Sequence, residues 1–441
     1  MPANGGVHFG VACFSNDILL ETIDLTKVDD VIEAETFYNC LSLRVANLTG
    51  VKEVGDYAFA ACSGLTYLNI PVIETIGKGA FSKYEKSSTS PQISEVTLPD
   101  TLVSLGDAAF FGCERLKEIT IPSNIVKVSD YAFGNCINLT RVNLPAETIE
   151  IGKYAFINCQ LLEVINLNNI RLIGEGSFSA CQALTKIDLS NIEEIGEGAF
   201  AKSYSLNEVS KTMMMNLKSI AGYAFLSTAL RKFDAPNLEE IGLGAFQNNE
   251  SLKEFRFSNK LKKIENLAFN GCSKLENYYY EDLTTNEKTN NKVLNDYARL
   301  VDGVLYTSIN GQEYQLTSVP AALNIETLDV MEGTVRIDRY AGNGNKNVTM
   351  IILPDSLKAI GNYAFYEYDN LKVVEFRSFT APILESEYNS KVKLSESDPG
   401  YKLLHKYFDL FGYEQCYLTF INVIQLDGFY QKMMISKGMK E

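Results

Sequence analysis

Tryptophan does not occur in this chain of 441 residues, and histidine occurs only at His8 and His405. Neither histidine lies near a serine or cysteine motif, so the sequence holds no nucleophile elbow and no cysteine–histidine pair. It has no phosphate-cradling P-loop and no Gly-x-Gly-x-x-Gly after a strand. Basic residues are scarce: 40 Lys and Arg stand against 55 Asp and Glu, a net charge of −15. That balance lacks the basic stripe that nucleic acid or an anionic membrane surface requires. No apolar run reaches the ~18 residues of a bilayer span. The opening residues, Met1-Pro2-Ala3-Asn4-Gly5-Gly6, carry no basic stretch followed by an apolar run, so no signal peptide is expected here. The expectation is a chain that is not an enzyme. It has no cofactor, no metal site, no nucleic-acid partner and no membrane-spanning segment.

What is present is a repeat. Ile151-Gly152-Lys153-Tyr154-Ala155-Phe156-Ile157-Asn158-Cys159 runs on through Leu162, Ile165 and Leu167. It then begins again as Ile173-Gly174-Glu175-Gly176-Ser177-Phe178-Ser179-Ala180-Cys181. The anchor phenylalanine recurs at Phe14, Phe37, Phe59, Phe81, Phe110, Phe133, Phe156, Phe178, Phe200, Phe225, Phe246, Phe269 and Phe365. Eight of the eleven spacings from Phe14 to Phe269 are 22 or 23 residues, which marks an array of stacked coils. Counting from the anchor, leucine falls at +6 and aliphatics at +9 and +11, a short strand whose +8 and +10 residues point to solvent. Proline at +12 (Pro71, Pro99, Pro122, Pro145, Pro236, Pro354) ends the strand, since it cannot donate to a ladder. The aliphatic-Gly pair upstream of each anchor reads as a bend. A single coil cannot offset the entropy of ordering its own backbone, so stability belongs to the array.

Nine cysteines occur, and Cys40, Cys62, Cys113, Cys136, Cys159, Cys181 and Cys272 all sit three residues after an anchor. Equivalent positions of successive coils stack about 5 Å apart, so these form a column of small buried thiols rather than a four-ligand zinc site. They suggest a reducing or anaerobic setting. Carboxylate pairs such as Glu193-Glu194 and Glu239-Glu240 read as solvated coil edges, not as a glycosidase pair. Asn138-Leu139-Thr140 and Asn347-Val348-Thr349 match the glycosylation motif but lie inside the repeat, so they read as packing coincidences.

The reading divides the chain into four parts: a solenoid over 1–276, an irregular insert over 277–334, resumed repeats over 335–380, and a C-terminal α+β cap over 381–441. Asn310-Gly311 between two apolar runs predicts a β-hairpin in the insert. The cap is expected to hold a helix over 401–411 and a strand over 416–426. The exposed loop over 82–90 reads as a tolerated insertion. Met213-Met214-Met215 reads as gap-filling in an irregular coil.

The register Gly106, Phe110, Cys113, Leu116, Ile119, Ile121, Pro122 resembles the BspA-like leucine-rich repeat family. The resemblance covers about 12–275 densely and 335–376 again. It implies a right-handed, curved solenoid of short parallel strands joined by loops and short helical turns. It also implies a bacterial cell-surface or secreted protein that binds extracellular matrix proteins, other cells or glycans, with no catalytic residues to carry over. The expected function is a non-enzymatic binding scaffold for a protein partner, engaged through the outward strand positions. Tyr67, Arg141, Arg256 and Tyr279 are the expected contacts, because interface hot spots favour tyrosine and arginine. The alternatives are a glycan-binding surface component that uses Tyr278, Tyr279 and Tyr280 with the insert, or a structural spacer.

Overall fold

The computed structural model describes residues 6–28, 30–83, 90–210, 212–377, 383–384, 416–420, 424–426, 429–431 and 434–437. The fold is a parallel-strand solenoid of about 15 turns. The chain divides into two compact units, 1–229 and 230–441.

In the first unit every full coil has three sides. The front side is the strand read from the sequence. Glu118–Thr120, Arg141–Asn143 and Val164–Ile165 pair in parallel, with Glu118 opposite Arg141 and Arg141 opposite Val164. Val45–Asn47 pairs with Tyr67–Asn69 in a separate ladder. Leu68, Ile119, Val142 and Ile165 point inward and are buried, while Tyr67, Glu118, Arg141 and Val164 are exposed. The second side was read as a bend and is in fact another parallel ladder. Lys127–Val128, Glu150–Ile151, Leu172–Ile173, Glu194–Ile195 and Ser219–Ile220 pair in succession. The glycine that follows three of these pairs, Gly152, Gly174 and Gly196, serves close approach rather than an unusual backbone angle. A Cβ on Gly174 would sit 2.7 Å from the Gly152 carbonyl carbon, and backbone cannot yield as a side chain does.

The third side carries the anchor phenylalanine, and here the expected short helical turns do not form. Among the described residues there is no helix. Instead, Tyr154 and Asn158, two residues on either side of Phe156, adopt left-handed φ of 55° and 56°. Left-handed residues flip the peptide plane, so alternate N–H groups serve different partners. Tyr154, Phe156 and Asn158 donate to the next coil, at Glu175, Ser177 and Ser179 carbonyls (2.7–2.9 Å). Ala155, Ile157 and Cys159 donate back three residues within the coil (3.1–3.4 Å). Every backbone donor from 154 to 159 is satisfied, as buried amides require.

Inside, the phenylalanines form one row in this unit. Phe133, Phe156 and Phe178 stack with centroids 5.7 and 5.5 Å apart and planes within 11°. The row extends from Phe14 to Phe225. Beside it runs the thiol column, buried and free of disulfides from Cys40 to Cys181, while Cys13 is exposed. Each thiol donates to the anchor carbonyl of the preceding coil: Cys62 to Phe37 at 3.0 Å, Cys136 to Phe110 at 3.3 Å, Cys159 to Phe133 at 3.2 Å. Where the column has Ser203, its hydroxyl makes the same bond to Phe178 at 2.8 Å. The position thus calls for a small donor. Burial holds the thiols protonated, pushing Cys136 and Cys181 up to about 12.

The second unit repeats the plan and then departs from it. Phe246 stacks on Phe269 at 5.5 Å, and Cys272 donates to the Phe246 carbonyl at 3.1 Å. Lys232–Phe233, Glu254–Arg256 and Asn277–Glu281 pair in parallel. Lys288–Thr289 then folds back antiparallel onto Tyr280 and Glu281. Val304–Ser308 and Tyr314–Ser318 form an antiparallel hairpin closed by a five-residue connection in which Ile309 N donates to Glu313 O. The second hairpin strand joins Thr334–Ile337 in parallel, which hands the sheet on to the resumed coils. Gly342 stands where an anchor would be, and Tyr368 supplies the missing ring. It is buried, and its hydroxyl lies 2.4 Å from where a Gly342 Cβ would be. The expected helix over 401–411 lies outside the described residues. Of the cap, only the strands Ile383–Leu384, Cys416–Phe420, Ile424–Leu426, Phe429–Gln431 and Met434–Lys437 are described.

Two outcomes test this core. Cys136→Ser keeps a donor and should stay within about 1 kcal/mol of the parent, while Cys136→Ala deletes it and opens a void, costing about 1–2 kcal/mol by denaturant titration. The raised thiol pKa values make stability full below pH ~8.5, where unfolded thiols are also protonated. It should fall as pH rises towards 12, because the unfolded state loses thiol protons that the folded state keeps. A denaturation midpoint that stays flat from pH 8 to 10.5 would contradict this.

Candidate interaction face

The front ladder offers three outward columns, at +7, +8 and +10, and they are not equivalent. The +10 residues are used by the fold. Asp24 accepts from the amide and hydroxyl of Thr26 at 2.9 and 2.6 Å, and the hydroxyl bond foremost holds its carboxyl below the usual range. Asn166 and Asp188 likewise accept from the amides of Asn168 and Ser190, both at 3.0 Å. These are Asx-turns that end the strand where no proline does. Asn69 instead donates to Asn47 of the previous coil at 2.8 Å, and Asn143 to Thr120 at 3.1 Å.

In the first unit the +7 and +8 columns remain available in part: Thr66 and Thr140 donate to the Arg44 and Lys117 carbonyls, and Lys186 pairs with Glu208 at 2.9 Å. Tyr67 is 55 % exposed, and Val45, opposite it in register, is 38 % exposed. Arg44, also exposed, precedes Val45 in the chain, and its carbonyl accepts from the amides of Thr66 and Tyr67. Arg141 is exposed between Glu118 and Val164. Tyr67 and Arg141 make no side-chain hydrogen bond or ion pair among the described residues. The structure does not bring them together: their coils, anchored by Phe59 and Phe133, are separated by those of Phe81 and Phe110. Arg44 was missed by the sequence reading, since +7 was not counted as outward.

Arg256 and Tyr279 are placed otherwise. Both were expected to face solvent, and they are 2 % and 3 % exposed. Arg256 donates to Asp234 at 3.1 Å and to the Glu281 carbonyl at 2.6 Å. Tyr279 lies beneath Lys288, whose ammonium is 4.5 Å from the ring centroid. Burial, with Asp234 and Glu254 nearby, pushes its hydroxyl up to about 12. Tyr278 is fully buried, its hydroxyl 2.7 Å from Ser318, and Lys292 sits over Tyr280. The cause is the chain after Glu281, which returns as the antiparallel strand Lys288–Thr289 beside the outward residues. The tyrosine cluster therefore offers no open ring on which a sugar could stack. Two sequence signals pointed this way: Asp234 and Arg256 occupy one column 22 residues apart with opposite charge, and three consecutive tyrosines break the in–out alternation.

The remaining candidate groups have structural partners. Glu193 and Glu239 pair with Arg171 and Lys262 of adjacent coils. Asn138 and Asn347, of the two glycosylation motifs, donate to the Glu114 and Leu323 carbonyls at 2.6 and 3.1 Å. His405 lies outside the described residues. Among the described residues no group of His, Cys, Asp or Glu is arranged to hold a metal ion, and no helix is long and apolar enough to cross a membrane.

This coil pattern matches the family model described as the BspA type leucine-rich repeat region, over residues 7–90, 87–207, 172–296 and 321–431. The chain belongs to the BspA-type leucine-rich repeat family. Among solved structures it is similar to a leucine-rich repeat protein from Bacteroides ovatus. The two are 23% identical with a TM-score of 0.54, over 83% of this chain and 91% of that one, a likeness of fold. A leucine-rich cell surface protein from Faecalibacterium prausnitzii is 22% identical with a TM-score of 0.47, over 63% of this chain. The BspA-type chain spans 65% of that protein. No curated protein matches.

The buried pair gives a prediction for this BspA-type chain. Asp234→Ala strands the Arg256 guanidinium in a dry site and should destabilise the protein by about 3–5 kcal/mol. Tyr67→Ala, on the open face, should fall within about 0.5 kcal/mol of the parent in the same urea titration.

Proposed function

We propose that this protein is a non-catalytic binding scaffold of a bacterial cell surface, or a secreted one. It engages a protein partner, such as an extracellular matrix protein, through the +7 and +8 columns of the first unit. The observation that carries this reading is the half-exposed Tyr67 beside Val45 and Arg44. Tyrosine and arginine are the residue types enriched at the energetic centre of an interface, and Val45, opposite Tyr67 in register, adds apolar area. The face is preorganised, because each residue stands on a hydrogen-bonded strand whose inward neighbour is locked in the core. Arg141 belongs to the same column further along the array and is the second expected contact. Membership of a leucine-rich repeat family and the likeness to a cell surface protein agree with such a role. Arg256 and Tyr279 are not contacts in this proposal, since neither reaches solvent.

The test is surface plasmon resonance of the purified chain over immobilised matrix proteins. Tyr67→Ala should weaken the specific interaction at least tenfold, about 1.4 kcal/mol, and Arg141→Ala should weaken it less. Lys288→Ala, on the covered part of the ladder, should leave it unchanged. Binding indifferent to both Tyr67→Ala and Arg141→Ala would overturn this face as the contact.

A further inference from the structure

At the opposite edge of the front strands, where each coil turns into its second ladder, the first unit holds an open groove of about 540 Å³. That volume is within the usual range for small-ligand sites, ~300–1,000 Å³. Asn168, Asn169, Asn191, Asn216, Arg171 and Glu193 line it, with Ala146 and Ile149 at one end.

The asparagines recur because of the fold. Asn169, Asn191 and Asn216 each precede the buried aliphatic that opens the second ladder: Ile170, Ile192 and Leu217. One reason for an amide here is stacking, since Asn191 donates to the Asn168 carbonyl and Asn124, earlier in the column, to Asp100 at 2.7 Å. That reason does not extend to the rest. The side chains of Asn168, Asn169 and Asn216 are exposed and make no hydrogen bond among the described residues. Arg171 and Glu193 face each other across adjacent coils with a loose 3.9 Å contact, which leaves most of their donors and acceptors open. Ile149 is 48 % exposed beside them.

We propose that this groove is a carbohydrate subsite for a neutral polysaccharide lying along the array. Each carboxamide offers a donor and an acceptor, which suits a hydroxyl that must both give and take a proton. Arg171 and Glu193 add a planar donor pair and a planar acceptor pair, the geometry that holds two vicinal hydroxyls. Ile149 and Ala146 give the apolar C–H face of a sugar ring something to pack on. Coil spacing sets the pitch of the column at about 5 Å, so one pyranose residue matches one coil, and the free carboxamides of Asn169 and Asn216 stand two coils apart. A peptide ligand would need buried apolar pockets for its anchoring side chains, and this groove has none beyond Ile149. The site is distinct from the Tyr67 face and does not depend on it.

Isothermal calorimetry with neutral hexasaccharides of glucose, mannose, xylose and N-acetylglucosamine is the test. At least one should bind, and the double variant Asn169→Ala/Asn216→Ala should weaken it at least tenfold. Glu193→Gln should weaken it too. Tyr67→Ala should leave it unchanged, which separates failure of this site from failure of the protein-binding face. The replaced asparagines carry no internal hydrogen bond, so unchanged melting of the double variant checks that the fold survives. No heat with any of the sugars, sugar binding undiminished in the double variant, or groove-dependent binding only of an extended peptide would each overturn the proposal.

Discussion

One spacing governs the molecule: the separation of successive coils. Backbone hydrogen bonds between coils set it near the ~4.8 Å of paired strands. Every interior group must then fit a slot of that height. Aromatic rings fit only if they lie nearly parallel, and Phe110, Phe133 and Phe156 do so, with planes within 7° and centroids 5.7 Å apart. Those distances exceed the strand spacing, so the rings slide past one another in the offset arrangement that aromatic quadrupoles favour. At the opposite extreme, Gly174 rests against Gly152 so closely that a methyl group has no room. The two columns answer the same constraint, one by filling the slot and the other by leaving it clear.

The polar interior answers it as well. A donor three residues after each phenylalanine reaches the anchor carbonyl of the coil before, and the group that supplies it varies from Cys159 to Ser203 without changing the bond. At Thr228 and Asn249 the side chain donates to its own coil's anchor carbonyl, of Phe225 and Phe246. The cysteines belong to the internal hydrogen bonding of this array. They are hydrogen-bond donors small enough for the slot, and desolvation keeps the proton on them. A thiol bonds more weakly than a hydroxyl but costs less to desolvate, which suits a position with no water nearby.

Much of this was legible in the residues. Periodicity reveals which side chains share an environment, so the phenylalanine row, the thiol column and the front strand follow from spacing alone. It says less about backbone angles. The left-handed residues flanking each anchor were overlooked, although Asn39, Asn135 and Asn158 on one side and Gly79, Gly176 and Gly198 on the other are types that favour that region. Tyr154 and Tyr131 at the same position are not, and there intercoil hydrogen bonds impose the angle. The outward face was legible only where nothing covers it. Alternation separates the two faces of a strand, but it cannot tell whether the second face meets water or another segment. Tyr67 meets water, whereas Tyr279 meets Lys288.

The same reasoning locates variation in a protein of this kind. Interior columns are constrained by the slot, the glycine edge by contact, and the +10 column by the turns and amide bonds it makes. What is left free is narrow: some residues at +7 and +8 on the front strand, and some of those before the second ladder. In the first unit the free residues are Arg44, Val45, Tyr67 and Arg141 on one edge and Asn169 and Asn216 on the other. Each can change without disturbing a neighbour's packing, since its side chain stands outside the slot. Recognition chemistry in such an array therefore gathers at the edges of the coil, where the spacing between coils sets the pitch of a ligand but not its chemistry.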